Sequence, residues 1–543
     1  MVKHWVRNIA ALFVEVPLAV GSTLVSGTSD QSLAYESVVQ IDTGTIKGAV
    51  SGDVLSFKGI PYATPPLGNL RWREPQPVKP WTGVRKVIAY GNDCIQKPVP
   101  NDPAAISSTT SEDCLVLNVW QPANNPSHEK LPVLVWIHGG GFLNGSAAAS
   151  IYDGSAFARQ GLVVVSFNYR LGRLGFFAHP ALTAAKKGRL GNYGLLDQLA
   201  ALRWVQRNVA AFGGDPNQVT IMGESAGGIS VMHHLTSPEA RELFQRAIVL
   251  SGGGRTYRLG GRKLSESTPE QPSAEESGIE FAKSVGITDT GAAALKALRA
   301  LPADVVNGDI NLEVLLTLPP TYAGGPIFDG EIVTSTLTEV LRRAKAANVP
   351  LLIGTTSQDL AVTYPPSREN PLSYFEVDAD KASVLYNPSG TLQPSEILNT
   401  IAVDMTMHEP ARFVAKQMVA AGNPAWLYRF GYVAEFLRPK VTDADHASEL
   451  PYLFSTLAAR YGNAVTAKDQ EMARLFQTYF ANFAKSGDPN GQGLPTWKKY
   501  DPTISDLMMF TPNNGSVMEA DPWKDRLELV ERAADAQTSN AAP

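Results

Sequence analysis

Gln218-Val-Thr-Ile-Met-Gly-Glu-Ser-Ala-Gly-Gly228 is the stretch whose reading decides the fold. An apolar run leads into Gly-x-Ser-x-Gly and then into residues that can be helical. This is the pattern of a strand turning tightly into a helix with a serine at the turn. Such a turn tolerates only small neighbours, and Gly223 and Gly227 supply them. The turn aims Ser225 out of the sheet. A helix opening at Ala226 places unpaired N–H groups and a positive dipole end beside any oxygen that becomes negative there. Gly-x-Ser-x-Gly alone is common, but its flank is not. Upstream, the strand-like Leu131-Pro-Val-Leu-Val-Trp-Ile137 runs into His138-Gly-Gly-Gly-Phe142, a loop able to bring further backbone donors close to an oxyanion.

Outward from that stretch, strand-like runs recur at 114–120, 161–168, 246–251, 349–353 and 424–430. Residues 191–212, 270–285 and 335–346 between them have helical spacing. This β-then-α alternation predicts an α/β fold with a large, mostly parallel central sheet and helices on both faces. Residues 467–485 read as an amphipathic helix. The 543 residues show no low-complexity linker and no internal repeat, so one large catalytic domain over 35–532 is expected. With 44% hydrophobic and 18% charged residues the composition is that of an ordinary globular chain, and a net charge of −5 gives no footprint for nucleic acid.

Further motifs stand in order along the chain: Pro61-Tyr-Ala63 with Leu70-Arg-Trp72, Glu112-Asp-Cys-Leu-Val-Leu-Asn118, Asn168-Tyr-Arg-Leu-Gly172, Gly191-Asn-Tyr-Gly-Leu-Leu-Asp-Gln198 and Phe212-Gly-Gly-Asp-Pro216. Together with the glycine loop and the serine turn, the series resembles the type-B carboxylesterase and lipase family of α/β-hydrolases over most of the chain. That family includes cholinesterases and the non-catalytic neuroligins. The resemblance implies the α/β-hydrolase fold, a small-molecule ester as substrate, no cofactor, and a disulfide between Cys94 and Cys114, the two cysteines of the chain. Two free buried thiols are the alternative; a bonded loop of this length would contribute about 3 kcal/mol. The loop between the cysteines is polar and proline-containing, without the amphipathic helix of an interfacial lipase lid. It also lacks the tryptophan on which cholinesterases seat a cation.

A serine hydroxyl becomes a nucleophile only when a base takes its proton, and that base needs a carboxylate to fix its tautomer. Of eight histidines, His446 in Thr442-Asp-Ala-Asp-His-Ala-Ser-Glu-Leu-Pro451 matches the family's catalytic histidine. His138 is expected to order the glycine loop, and His4, His128, His179, His233, His234 and His408 to be structural or solvated. The acid departs from the family pattern. Where the family shows Gly-Thr-Asn-x-Asp-Glu-Gly, this chain has Gly354-Thr-Thr-Ser-Gln-Asp-Leu360, which puts Asp359 on the glutamate position. Asp404, Asp443 and Asp445 are the fallback acids. Ser225, Asp359 and His446 then stand in α/β-hydrolase order. The oxyanion hole is expected from the amides of Gly140, Gly141 and Ala226, with Glu224 a buried structural carboxylate. No cluster of metal-ligand spacing appears. A serine esterase is the reading favoured by these residues, with a non-catalytic binding protein on the same fold as the alternative.

Three outlying segments complete the reading. Residues 1–34 combine Lys3 and Arg7, an apolar stretch interrupted by Glu15 and Pro17, and small residues. That is the pattern of a secretory signal cleaved between Gly27 and Ala34, and it implies a secreted or periplasmic protein without a membrane span. The tail 533–543 reads as disordered. Ser251-Gly-Gly-Gly-Arg-Thr-Tyr-Arg-Leu-Gly-Gly-Arg-Lys263 follows a strand and carries Arg255 and Arg258 where resembling esterases line the acyl side of the pocket. Guanidinium groups there would hold an acyl carboxylate, which predicts esters of di- or tricarboxylic acids such as the tricarballylate esters of fumonisin. A solvated surface loop is the alternative.

Overall fold

The structure is a computed structural model that describes residues 37–540, apart from 101, 103, 107–108, 125–128, 254, 256–260, 269–270 and 514, and apart from the side chains of 538–540. The segment 1–34 read as a signal and Arg258 lie outside the described residues.

Eleven strands form the central sheet: β1 (Ala49–Ser51), β2 (Val54–Pro61), β3 (Val116–Pro122), β4 (Leu131–Ile137), β5 (Val163–Phe167), β6 (Gly214–Glu224), β7 (Arg246–Leu250), β8 (Leu351–Thr356), β9 (Ala425–Phe430), β10 (Asp506–Thr511) and β11 (Gly515–Ala520). Their order is β11-β10-β9-β8-β7-β6-β4-β5-β3-β2-β1. Pairing is parallel from β5 through β10. It is antiparallel at both ends, where short connections suffice.

The parallel strands read as unbroken apolar runs because both of their faces are covered. Successive side chains point to opposite faces, so each strand is shared between two cores. Val133, Val135, Ile137, Ile221, Val249 and Ile353 belong to one core. Leu134, Trp136, Met222, Ile248, Leu250 and Leu352 belong to the other. Helices α1 (Tyr193–Asn208), α2 (Ala226–Thr236) and α3 (Glu409–Ala420) cover the first face through Leu199, Leu235 and Phe413. Helix α4 (Ala467–Ser486) covers the second with Phe476, Phe480 and Phe483. The α/β-hydrolase fold expected from the alternation is present.

One expectation is corrected. The small, polar stretch from Ala533 continues helix α5 (Lys524–Asn540). Ala533 packs against a small apolar cluster containing Tyr374, Tyr386 and Leu529, and Asp535 pairs with Arg255 and Arg342.

Candidate active site

Strand β6 and helix α2 meet at Ser225, which holds φ 55° and ψ −123°. A non-glycine residue keeps such a conformation only where its surroundings impose it. Here they do. The Ser225 N–H donates to Leu250 O on β7 at 3.0 Å, and its carbonyl accepts from Ile229 N at 2.9 Å. A Cβ on Gly227 would stand 2.0 Å from Ile137 O, so the turn closes against β4 only with glycine at that position. Ser225 remains 9% exposed, just past the C-terminal end of the central strand β6.

The glycine loop leaves β4 and lies directly over this turn. Gly139 is in contact with Ser225, since a Cβ there would sit 3.1 Å from the serine Cβ. Gly140 has φ +102° and would carry a Cβ into Asn144 O at 2.1 Å. Among the described residues, no group accepts from the amides of Gly140, Gly141 or Ala226. They are free to face an oxyanion. His138 stacks on Tyr169 with ring centroids 4.4 Å apart, and Tyr169 Oη donates to His138 O at 2.9 Å, which fixes the start of the loop. Burial lowers the pKa of His138 to about 4, so it is neutral at working pH.

Asp359 and His446 come together from loops 87 residues apart. His446 Nδ1 is 2.6 Å from Asp359 Oδ1. Asp359 Oδ2 accepts from Ser251 Oγ at 2.6 Å and from Thr356 N at 3.0 Å, and Oδ1 accepts from Leu360 N at 2.7 Å. Burial raises the carboxyl pKa, but His446, the serine donor and His408 outweigh it and hold Asp359 at about 2. The two loops are themselves laced together. Ser357 N donates to Phe430 O at 2.8 Å, Gln358 N to Ala444 O at 2.9 Å, and Ala444 N to Ser357 Oγ at 2.9 Å.

The other face of the imidazole meets Glu224. His446 Nε2 lies 3.1 Å from Glu224 Oε1, a charge contact rather than an aligned hydrogen bond, since that oxygen has no hydrogen-bond partner. Burial pulls the His446 pKa down, while Glu224 and Asp359 together push it up to about 9. Burial in turn raises Glu224 to about 7, against the attraction of His446. A third carboxyl, Glu449, is fully buried behind the pair. Desolvation and the neighbouring Glu224 and Asp359 raise its pKa well above the ordinary carboxylate value.

Asp359 and His446 are thus brought together against Glu224, the residue before Ser225, and the glycine loop lies over the same turn. The two arginines are not part of this group, Arg258 lying outside the described residues. Arg255 is buried, but its guanidinium pairs with Glu409 of α3 and Asp535 of α5 and lies 4.2 Å from the Phe413 ring. Its charge is answered within the chain, which corrects its reading as an acyl-carboxylate ligand. Of the fallback acids, Asp443 and Asp445 are exposed, and Asp404 bonds His408, Tyr386 and Arg526. Cys94 and Cys114 form a disulfide. Ser251, Glu449 and the Glu224 contact were not foreseen as parts of the site. Ser251 gave a signal only in being the first residue after a parallel strand, where sites gather.

The profile of the carboxylesterase family matches residues 35–387 and 381–528. Carboxylesterase 1D of Rattus norvegicus is 34% identical over 84% of this chain and 87% of its own length. The fumonisin B1 esterase of Sphingopyxis macrogoltabida is 33% identical over 87% of this chain and 86% of its own. A solved PNB esterase superposes with a TM-score of 0.75 at 31% identity, covering 91% of this chain and 99% of that one. The chain belongs to the carboxylesterase family and is a carboxylic ester hydrolase.

Proposed function

We propose that the protein hydrolyses carboxylic esters through an acyl-enzyme on Ser225. The observation that carries this reading is the His446 ring, bound at Nδ1 by an ionised, buried Asp359 and lying beside the serine turn. Ser225 Oγ attacks the ester carbonyl carbon as the neutral imidazole takes its proton at Nε2. The carbonyl electrons move onto oxygen, which the amides of Gly140, Gly141 and Ala226 receive. On collapse the C–O bond to the alcohol breaks, and the imidazolium gives its proton to the leaving oxygen. Water then attacks the acyl-serine with His446 again as base, releasing the acid and restoring Ser225.

The wall beside the glycine loop is apolar. Leu312 and Leu315 lie close enough to Gly141 that a Cβ there would meet them at 3.0 and 2.9 Å. This favours neutral esters with an apolar group on that side. A second reading, esters of di- or tricarboxylic acids, draws on the similarity to the fumonisin B1 esterase and leaves Arg258 as the arginine to hold the acyl carboxylate. Export to the periplasm or medium is part of the proposal, resting on the N-terminal pattern and the disulfide. Among the described residues, no helix is long and apolar enough to cross a membrane.

A p-nitrophenyl ester at high enzyme concentration should give a phenolate burst stoichiometric with enzyme, and an organophosphate should add its phosphoryl group to the peptide containing Ser225. Labelling of another residue would overturn the assignment. Comparing kcat/KM for a neutral short-chain ester and a tricarballylate half-ester, in wild type and in Arg258→Ala, separates the two substrate readings.

A further inference from the structure

We propose that Gln96 and Asn144 are positioning residues that clamp the glycine loop in its oxyanion-binding shape, a role that rests on Ser225 being the nucleophile. Gln96 is buried, two residues past the disulfide-bonded Cys94. Its amide nitrogen donates to Gly145 O at 2.8 Å and to Cys94 O at 3.1 Å. Its amide oxygen accepts from Gly145 N at 2.9 Å and from Asn144 Nδ2 at 3.3 Å. All four hydrogen-bonding positions of a primary amide are occupied. Two of them grip the N–H and C=O of one residue, as a neighbouring β-strand would.

Asn144 extends the clamp in two directions. Its Nδ2 also donates to Lys97 O at 2.6 Å, and its Oδ1 accepts from Leu312 N at 3.0 Å. Its main chain closes the loop from within, since Gly140 O accepts from Leu143 N at 3.0 Å and from Asn144 N at 2.9 Å. The peptide carrying the Gly141 amide is therefore set by the 143–145 turn, and that turn by Gln96. Gly145 in turn backs onto His138, where a Cβ would lie 2.4 Å from Nδ1. The loop is held from behind through Gly140 O, Asn144 and Gly145, while the amides of Gly140 and Gly141 have no acceptor among the described residues.

A donor fixed before the reaction stabilises the transition state more than the ground state. Losing the clamp should therefore lower kcat and leave KM nearly unchanged. The probes are a p-nitrophenyl ester, a trifluoromethyl ketone that forms a hemiketal oxyanion on serine, and the matching methyl ketone that binds without being attacked. In Gln96→Met, which keeps the volume and removes all four hydrogen bonds, kcat should fall by about 10–100-fold, less than for outright deletion of one oxyanion donor. The inhibition constant of the trifluoromethyl ketone should rise in step, and that of the methyl ketone should not. Gln96→Glu, which keeps the acceptor for Gly145 N, should lie between. Asn144→Ala must show the same split and serves if Gln96→Met does not fold. A wild-type ratio of the two inhibition constants in any folded variant overturns the proposal. Hydrolysis by Ser225→Ala would instead overturn the serine mechanism itself.

Discussion

Two glycine-rich loops flank the nucleophile, one on each neighbouring strand. His138-Gly-Gly-Gly141 leaves β4, Ser251-Gly-Gly-Gly254 leaves β7, and both strands pair with β6. In the sequence the two look alike. In the structure the first lies over Ser225 with the amides of Gly140 and Gly141 left without acceptors among the described residues, while its far end is gripped by Gln96. The second runs close along Gly228 through Gly252, sends Ser251 to the acid Asp359, and anchors Arg255 on Glu409 and Asp535. One loop keeps backbone donors unpaired beside Ser225; the other bonds Asp359 and is tied to the C-terminal helix. The glycines permit both outcomes, and the partners decide between them.

The sharpest test of that contrast removes what the first loop serves. Ser225→Ala and His446→Ala should each lower kcat by about 10⁶, with the double variant little worse, because the residues act as one unit. Additive losses in steady-state kinetics would contradict the assignment. Asp359→Asn tests the point where the second loop meets the site. It should fold normally and lose about 10⁴ in kcat through the wrong histidine tautomer, and near-normal turnover would move the acid elsewhere.

Arg255→Ala tests whether the second loop touches substrate. It leaves the buried Glu409, whose pKa burial already raises to about 7, without its cation. Breaking a buried pair typically costs about 3–5 kcal/mol, and a loss of that order is expected here because the Arg255 and Glu409 side chains are 2% and 3% exposed. Denaturant melts should show this loss, while the preference for an anionic over a neutral ester changes by less than about threefold, well short of the tenfold that 1.4 kcal/mol represents. A larger change in preference would return Arg255 to the pocket.

The smallest effect concerns pH. Only neutral His446 accepts the serine proton, so kcat/KM should climb as pH rises through its ionisation near 9. In Glu224→Gln the limb should move to lower pH, because a carboxylate holding the imidazolium is gone. The folded pKa exceeds the ordinary 6.5, so this group's contribution to stability is complete below 6.5 and is lost as pH rises through about 9. Asp359 behaves oppositely. Its contribution is present above 3.8 and lost as pH falls through about 2.

What the sequence disclosed follows from distance along the chain. The β6 turn and α2 are local, written in consecutive residues whose spacing and small side chains leave one geometry. Asp359 and His446 are legible through motif order, although the aspartate departs from the familiar pattern. Arg255 was misread because its partners stand 154 and 280 residues later in the chain, and nothing near Arg255 reveals them. Gln96 shows no pattern at all, since a side chain that mimics a strand is recognised only beside the backbone it pairs with. The tail from Ala533 misled for a related reason: its low polarity contrast hides a helix that is defined by what it packs against.

The lacing of the acid loop to the histidine loop makes catalysis a late reporter of folding. Asp359 and His446 meet only when β8 and β9 have aligned, and alignment must wait for the long intervening chain to close. Trp120 and Trp136 are buried in the sheet around β4, from strands joined by shorter connections. On refolding from denaturant, the fluorescence of Trp120 and Trp136 should return before that of Trp426 on β9, and ester hydrolysis should follow with the latter, so that a population already compact by its first optical signal still contains molecules unable to turn over substrate.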